Sequence, residues 1–334
     1  MSALPDPAPD ETGREFPSSD SEPGIGSAAE PELATENSDA EPDFPTIVPD
    51  KPSYFETYAR QLPPPPPRFP NIADVLLMGI LMGFGWLISG AVTAEALRLH
   101  LFGVWTARQA MNDIHYTLGS QAVWYVASLA MCLLLFPRIW HTGFFNGIDW
   151  RARAALRLRW QLFSAAVACF VLAIIDGLVL PGPKEAPIDQ VFRMPGAAWL
   201  LFAFGVTLAP FFEEMAFRGF LLPALCTAWD WALERIEHRP APLPDLEGNT
   251  KWSLTAMAVG SLLTSIPFAL IHAEQTGYSV GPFLLLVCVS LALCWVRLST
   301  RSLAASTVVH ACYNLLLFSI MFWGTGGFRH LDRM

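Results

Sequence analysis

Seven stretches of the chain are apolar over close to the roughly 20 residues a helix needs to cross a bilayer. They run over 72–92, 120–137, 162–181, 196–217, 254–272, 280–297 and 302–323. A further segment, 94–118, is interrupted by polar residues and is expected to be an interfacial helix or a poor additional span. The pattern predicts an all-α fold: a polytopic membrane helical bundle of about seven to eight transmembrane helices filling residues 71–334. Within the first span "GILMG" (Gly79–Gly83) is a small-xxx-small pattern suited to close helix packing.

Charge changes this picture only at the edges. The chain is 53% hydrophobic and 15% charged, and its net charge of -9 is segregated. Residues 1–50 hold 13 of the 30 acids and one base, Arg14, which leaves the remainder at a net of +3. The acidic character therefore belongs to a tail, and no basic cluster points to nucleic acid. Residues 1–70 are rich in Pro, Ser, Glu, Asp and Ala and end in "PPPPPRFP". Such a tail buries too little apolar surface to offset its ordering, so it is expected to be disordered, its proline run a stiff spacer. It lacks the basic and then apolar pattern of a cleavable signal peptide. The loop 138–160 carries Arg138, Arg151, Arg153, Arg157 and Arg159 against one acid, Asp149. By the positive-inside rule it lies in the cytoplasm, and the tail with it. The 218–251 connection falls on the same side. The six cysteines sit in or beside apolar runs without a CxxC pair, and read as small buried hydrophobes rather than disulfides or zinc ligands. The closing "HLDRM" is no prenylation box.

Against this apolar background three polar intrusions stand out. "EEMAFR" sets Glu214 and Arg218 at i, i+4 on one helix face, with Glu213 rotated about 100° away. "FALIH" does the same for Phe268 and His272, and "HACYN" for His310 and Asn314. Taken singly each has a structural explanation: a neutralised buried pair, a packing histidine, an amide bonded to a neighbouring helix. Asp74 and Asp176, near span ends, are expected to reach water. Together the three leave an unpaired carboxylate, two imidazoles and an amide at membrane depth, where ionisable groups face a bundle interior or a wet cavity. A carboxylate in such a pocket suits general-base work, and imidazole and amide donors suit a developing oxyanion. The set points to water attacking an amide carbonyl. Cys312 faces away from both His310 and Asn314, and no serine or cysteine lies in a nucleophile motif.

These motifs match, in order, the EExxxR, FxxxH and HxxxN motifs of the CAAX-protease and bacteriocin-processing (CPBP, or Abi) family. That family includes the Ras-converting CAAX endopeptidase, and the resemblance covers about 190–323. It implies a helical membrane bundle and a glutamate-dependent intramembrane endopeptidase. It implies Glu213 as the base that activates water, His272 assisting it, and His310 with Asn314 as the oxyanion site. Glu214 and Arg218 would brace the first motif, and Phe268 would pack beside His272. No HExxH spacing occurs, and neither a metal nor another cofactor is expected. The expected partners are the bilayer and a membrane-associated peptide or protein: a prenylated CAAX tail, a bacteriocin leader or a regulatory membrane protein. An idle membrane scaffold or immunity protein and a proton-coupled transporter are the alternatives. One conflict remains for the structure. Simple alternation of spans puts Glu213 and His272 near opposite faces, so a longer or tilted span is needed for them to meet. The polar insertion 233–251 between them is a candidate lid or gate.

Overall fold

The computed structural model describes residues 70–180, 186–194, 196–238 and 251–330. The acidic tail, and the expectation of disorder in it, lie outside these residues. Among the described residues every regular element is helical. The main ones are α1 (Ile72–Arg98), α2 (Ile114–Trp140), α3 (Arg159–Val179), α4 (Ala197–Val206), α5 (Leu208–Glu214), a π-helical turn (Met215–Leu221), α6 (Leu222–Glu237), α7 (Leu254–Ile271), α8 (Val280–Thr300) and α9 (Leu303–Gly324). The run from Ala197 to Glu237 counts as one, so seven helical stretches are long and apolar enough to cross a membrane. Their outward faces stay apolar: Leu76, Phe84, Trp86, Leu134 and Leu178 are all exposed. With no polar coat on these helices the solvent around them is lipid, and the chain is an integral membrane protein.

Local chemistry fixes the helix ends. Asn71 caps α1 by accepting from the Ala73 and Asp74 amides, while Asp74 returns a bond to Asn71 N at 2.9 Å. Asp74 also accepts from Trp140 Nε1 at 3.1 Å and is buried. The expectation that it reaches water is therefore corrected: it joins the start of α1 to the end of α2. Asp176 is half-buried. Residues 99–113 form only a 3₁₀ turn and one short helix, Ala107–Met111, so that segment adds no further span.

Between apolar helices in lipid, association depends on close packing rather than on water exclusion. The close approach of α1 to α2 occurs at Gly85, where a Cβ would strike the Ser128 hydroxyl. At Gly79 and Gly83, the small-xxx-small pair, a Cβ would meet nothing within 4 Å beyond its own helix, and both face outward. That expectation is corrected by a register difference: the buried stripe of α1 runs through Asp74, Met78, Leu81, Gly85 and Ser89. Gly260 of α7 similarly lies against Cys226 of α6. The described cysteines are all free; Cys288 departs from the buried expectation and is exposed.

The connector between α2 and α3 is tied to the helix that carries the third motif. Asp149, in the left-handed region at φ 56°, accepts from Arg297 of α8 at 2.9 Å and from Arg151 at 3.0 Å. Its carbonyl accepts from Leu303 N at 3.0 Å, at the first turn of α9. Ser302 caps α9 by accepting from Ala305 N and donates its own proton to the Arg151 carbonyl.

Candidate active site

The first motif lies in the middle of the fourth apolar run. Pro210 has no N–H for the Val206 carbonyl and its ring crowds that turn. The helix accordingly breaks at Thr207, separating α4 from α5. Past Glu214 it widens into the π turn, a distortion often found at functional sites. The helix resumes to Glu237, some twenty residues beyond the end expected from hydropathy. Glu213 is thus far from either end of the run, while His272 is the C-cap of α7. The longer span resolves the conflict between the two. Residues 233–237 of the polar insertion belong to α6, and 239–250 lie outside the described residues.

Adjacent glutamates take opposite surroundings. Glu214 is completely buried and its Oε1 accepts from Arg218 Nη1 at 3.0 Å and from His310 Nδ1 at 3.1 Å. Arg218, also completely buried, donates through Nη2 to Ser290 Oγ at 2.7 Å and to the Ser290 carbonyl at 3.1 Å. Its guanidinium lies 4.4 Å from the centre of the Phe268 ring, a cation–π contact. Glu214 Oε2 and Arg218 Nε have no hydrogen-bond partner among the described residues. Glu213, one position earlier, keeps 16% of its side-chain surface open and faces a cavity.

Both imidazoles converge on Glu213. Its Oε2 lies 3.8 Å from His272 Nε2 and 3.7 Å from His310 Nε2. These separations are too long for direct hydrogen bonds. They suit a small polar molecule held between the three groups. The far nitrogens fix the tautomers. His272 Nδ1 lies 2.8 Å from the Phe268 carbonyl, which can only accept, so Nδ1 carries a proton. His310 Nδ1 faces the ionised Glu214 and is a donor by the same reasoning. Phe268 does more than flank His272 at 5.0 Å between ring centres; it also meets His310 edge-on at 5.9 Å.

Asn314 lies one turn beyond His310 and lines the same cavity, of about 410 Å³. One of its N–H groups is committed: Nδ2 donates to the Gly205 carbonyl at 2.8 Å, in the last turn of α4. The amide thereby satisfies a backbone acceptor beside the Thr207 break and keeps its second N–H for the cavity. The structure thus brings together Glu213, His272, His310 and Asn314, with Glu214, Arg218 and Phe268 packed behind them. Two further contributors, Ser290 and Gln121, are not among the residues that the motifs single out. Ser290 is one hydroxyl in an apolar run, with nothing to mark it as the Arg218 partner. Gln121, whose side chain lines the same cavity, was a legible signal, a lone amide opening the second apolar stretch. Among the described residues no group of three or more His, Cys, Asp or Glu side chains is arranged to hold a metal ion.

Residues 195–316 match the Rce1-like family of type II CAAX prenyl endopeptidases. The resemblance drawn from the three motifs is borne out over that segment, which spans α4 to most of α9 and contains every residue of the motifs. The family is described as one of endopeptidases, which implies a protease, hence a hydrolase. No curated protein matches the chain, and no solved structure does.

Proposed function

We propose that the protein is an intramembrane endopeptidase that cuts a prenylated CAAX-type or other membrane-associated peptide by glutamate-activated water. The observation that carries this reading is the approach of two Nε2 atoms to the one open carboxylate, at 3.7 and 3.8 Å. His272, protonated on Nδ1, offers a lone pair at Nε2. A water between it and Glu213 donates one proton to each and turns its own lone pair toward the cavity. On attack, the water oxygen bonds to the scissile carbonyl carbon and Glu213 takes the proton. The charge that develops on the carbonyl oxygen is assigned to the site between His310 Nε2 and the second N–H of Asn314. The carbon–nitrogen bond then breaks, and Glu213 returns its proton to the leaving amine. Glu214 and Arg218 hold the His310 ring and touch no reacting atom. The exposed arginines of the 138–160 connector support a cytoplasmic location for it and for the N-terminal tail.

The test compares detergent-purified wild type, Glu213→Gln and His310→Ala on libraries of prenylated tetrapeptide tails and of plain peptides, with and without a strong zinc chelator. Cleavage that survives chelation and vanishes in both variants is expected. Cleavage that Glu213→Gln retains would overturn the assignment of the base, and chelator-sensitive cleavage would replace it with a metal-bound water.

A further inference from the structure

Glu213 and His272 border two cavities. The one of about 410 Å³ lies toward α4 and α9. The other, about 440 Å³, lies toward α1 and α2 and is walled by Met78, Met82, Trp124, Tyr125 and Phe217. Gln121 and Gln275 line both cavities as well. Gln275 is exposed beyond the end of α7, whereas Gln121 is half-buried within α2 and fixed in place. Its amide bonds Tyr125, one turn on, with Nε2 to phenol oxygen 3.0 Å. Tyr125 in turn stacks on Phe212, the neighbour of Glu213, with ring centres 4.4 Å apart.

One hydrogen bond does not exhaust this pair. A phenol oxygen that accepts from Gln121 keeps its own proton, and that proton has no acceptor among the described residues. Tyr125 is only 8% exposed and lines the cavity of about 440 Å³. The Gln121 carbonyl oxygen has no donor among the described residues either. Turning the amide over exchanges the roles but still leaves the pair with at least one free donor and one free acceptor. An extended peptide needs that complement. Each of its units brings an N–H and a C=O into an apolar cavity and gives up water for both.

We propose that Gln121 and Tyr125 are positioning residues that clamp the substrate backbone at the junction of the two cavities, opposite Glu213. The inference rests on the endopeptidase reading. The clamp pairs with one peptide unit beside the scissile bond and reads no side chain, so the substrate class is an extended peptide of tolerant sequence threaded past Glu213.

The test uses full-length protein in detergent and the best-cleaved library peptide, with analogues N-methylated at each backbone position in turn. In Gln121→Leu, KM is expected to rise about tenfold with kcat within about twofold, since a ground-state contact is lost. Methylation at one position should cost the wild type about tenfold and the variant little, a coupling that a merely structural residue would not produce. Tyr125→Phe should give the same pattern. Anisotropy of a labelled peptide on Glu213→Gln protein, with and without Gln121→Leu, reads the contact without cleavage. Equal affinity and equal KM in the Gln121 variants would overturn the clamp while leaving the endopeptidase intact. A peptide bound through Gln121 but cut by no variant would do the reverse, and a peptide bound by neither protein would count against both.

Discussion

Replacing Arg218 by Met should be among the most damaging changes available to this fold. Arginine and its partner Glu214 are each completely removed from solvent. Methionine fills much of the same volume but leaves the Glu214 carboxylate without its cationic partner, and removes the donor to Ser290 Oγ and to the Ser290 carbonyl. Breaking a buried pair by removing one member costs about 3–5 kcal/mol, because the remaining charge is uncompensated. At about 2–4 °C per kcal/mol for a domain of this size, Tm should fall on the order of 10 °C. The double variant Glu214→Gln with Arg218→Met removes both charges while keeping an amide oxygen for the His310 Nδ1 proton. It should recover most of the lost stability, since a neutral replacement of a buried pair is often nearly neutral in energy. Thermal unfolding in detergent, followed by the intrinsic fluorescence of the 12 tryptophans, reads all three proteins. An Arg218→Met protein melting within about 2 °C of wild type would refute the burial argument. A double variant no more stable than the single one would refute the attribution to an unpaired carboxylate.

Two further outcomes follow from packing and capping. Gly85→Val should destabilise the α1–α2 contact by about 1–3 kcal/mol through overpacking against Ser128, while Gly83→Val, with open space around it, should stay within about 0.5 kcal/mol in the same thermal assay. Asp74→Ala loses both the capping-box bond to Asn71 N and the Trp140 bond, and a loss of about 1–3 kcal/mol is expected; unchanged unfolding would mean the α1–α2 junction is held by other contacts.

The candidate site residues were easier to read from the sequence than the packing. Glu213, His272 and His310 were legible as candidates because each interrupts an apolar run and they occur together, although each alone has a structural explanation. The positions of the seven helical runs were legible from hydropathy. Their ends were not: α6 continues through Trp229, Asp230 and Trp231 to Glu237, and hydropathy cannot see a helix that stays helical while turning polar. Packing direction was hidden too. Gly79 and Gly83 share the spacing of a helix interface, yet Gly85 makes the contact, because which stripe of an apolar helix turns inward depends on its neighbours. Asp74 looked like a solvated span end until Trp140, 66 residues away, supplied its second partner. The break at Thr207 follows from Pro210, but nothing local says that the amide closing it comes from Asn314.

The two cavities flanking Glu213 bear on turnover as well as on binding. A peptide threaded through both and cut between them ends as two pieces in separate chambers, a new carboxylate on one and a new amine on the other. Neither piece obstructs the departure of its sibling, so release has no compulsory order on the endopeptidase reading. A long apolar fragment could linger on one side while the other chamber empties, and the slower exit would then set the pace of the cycle.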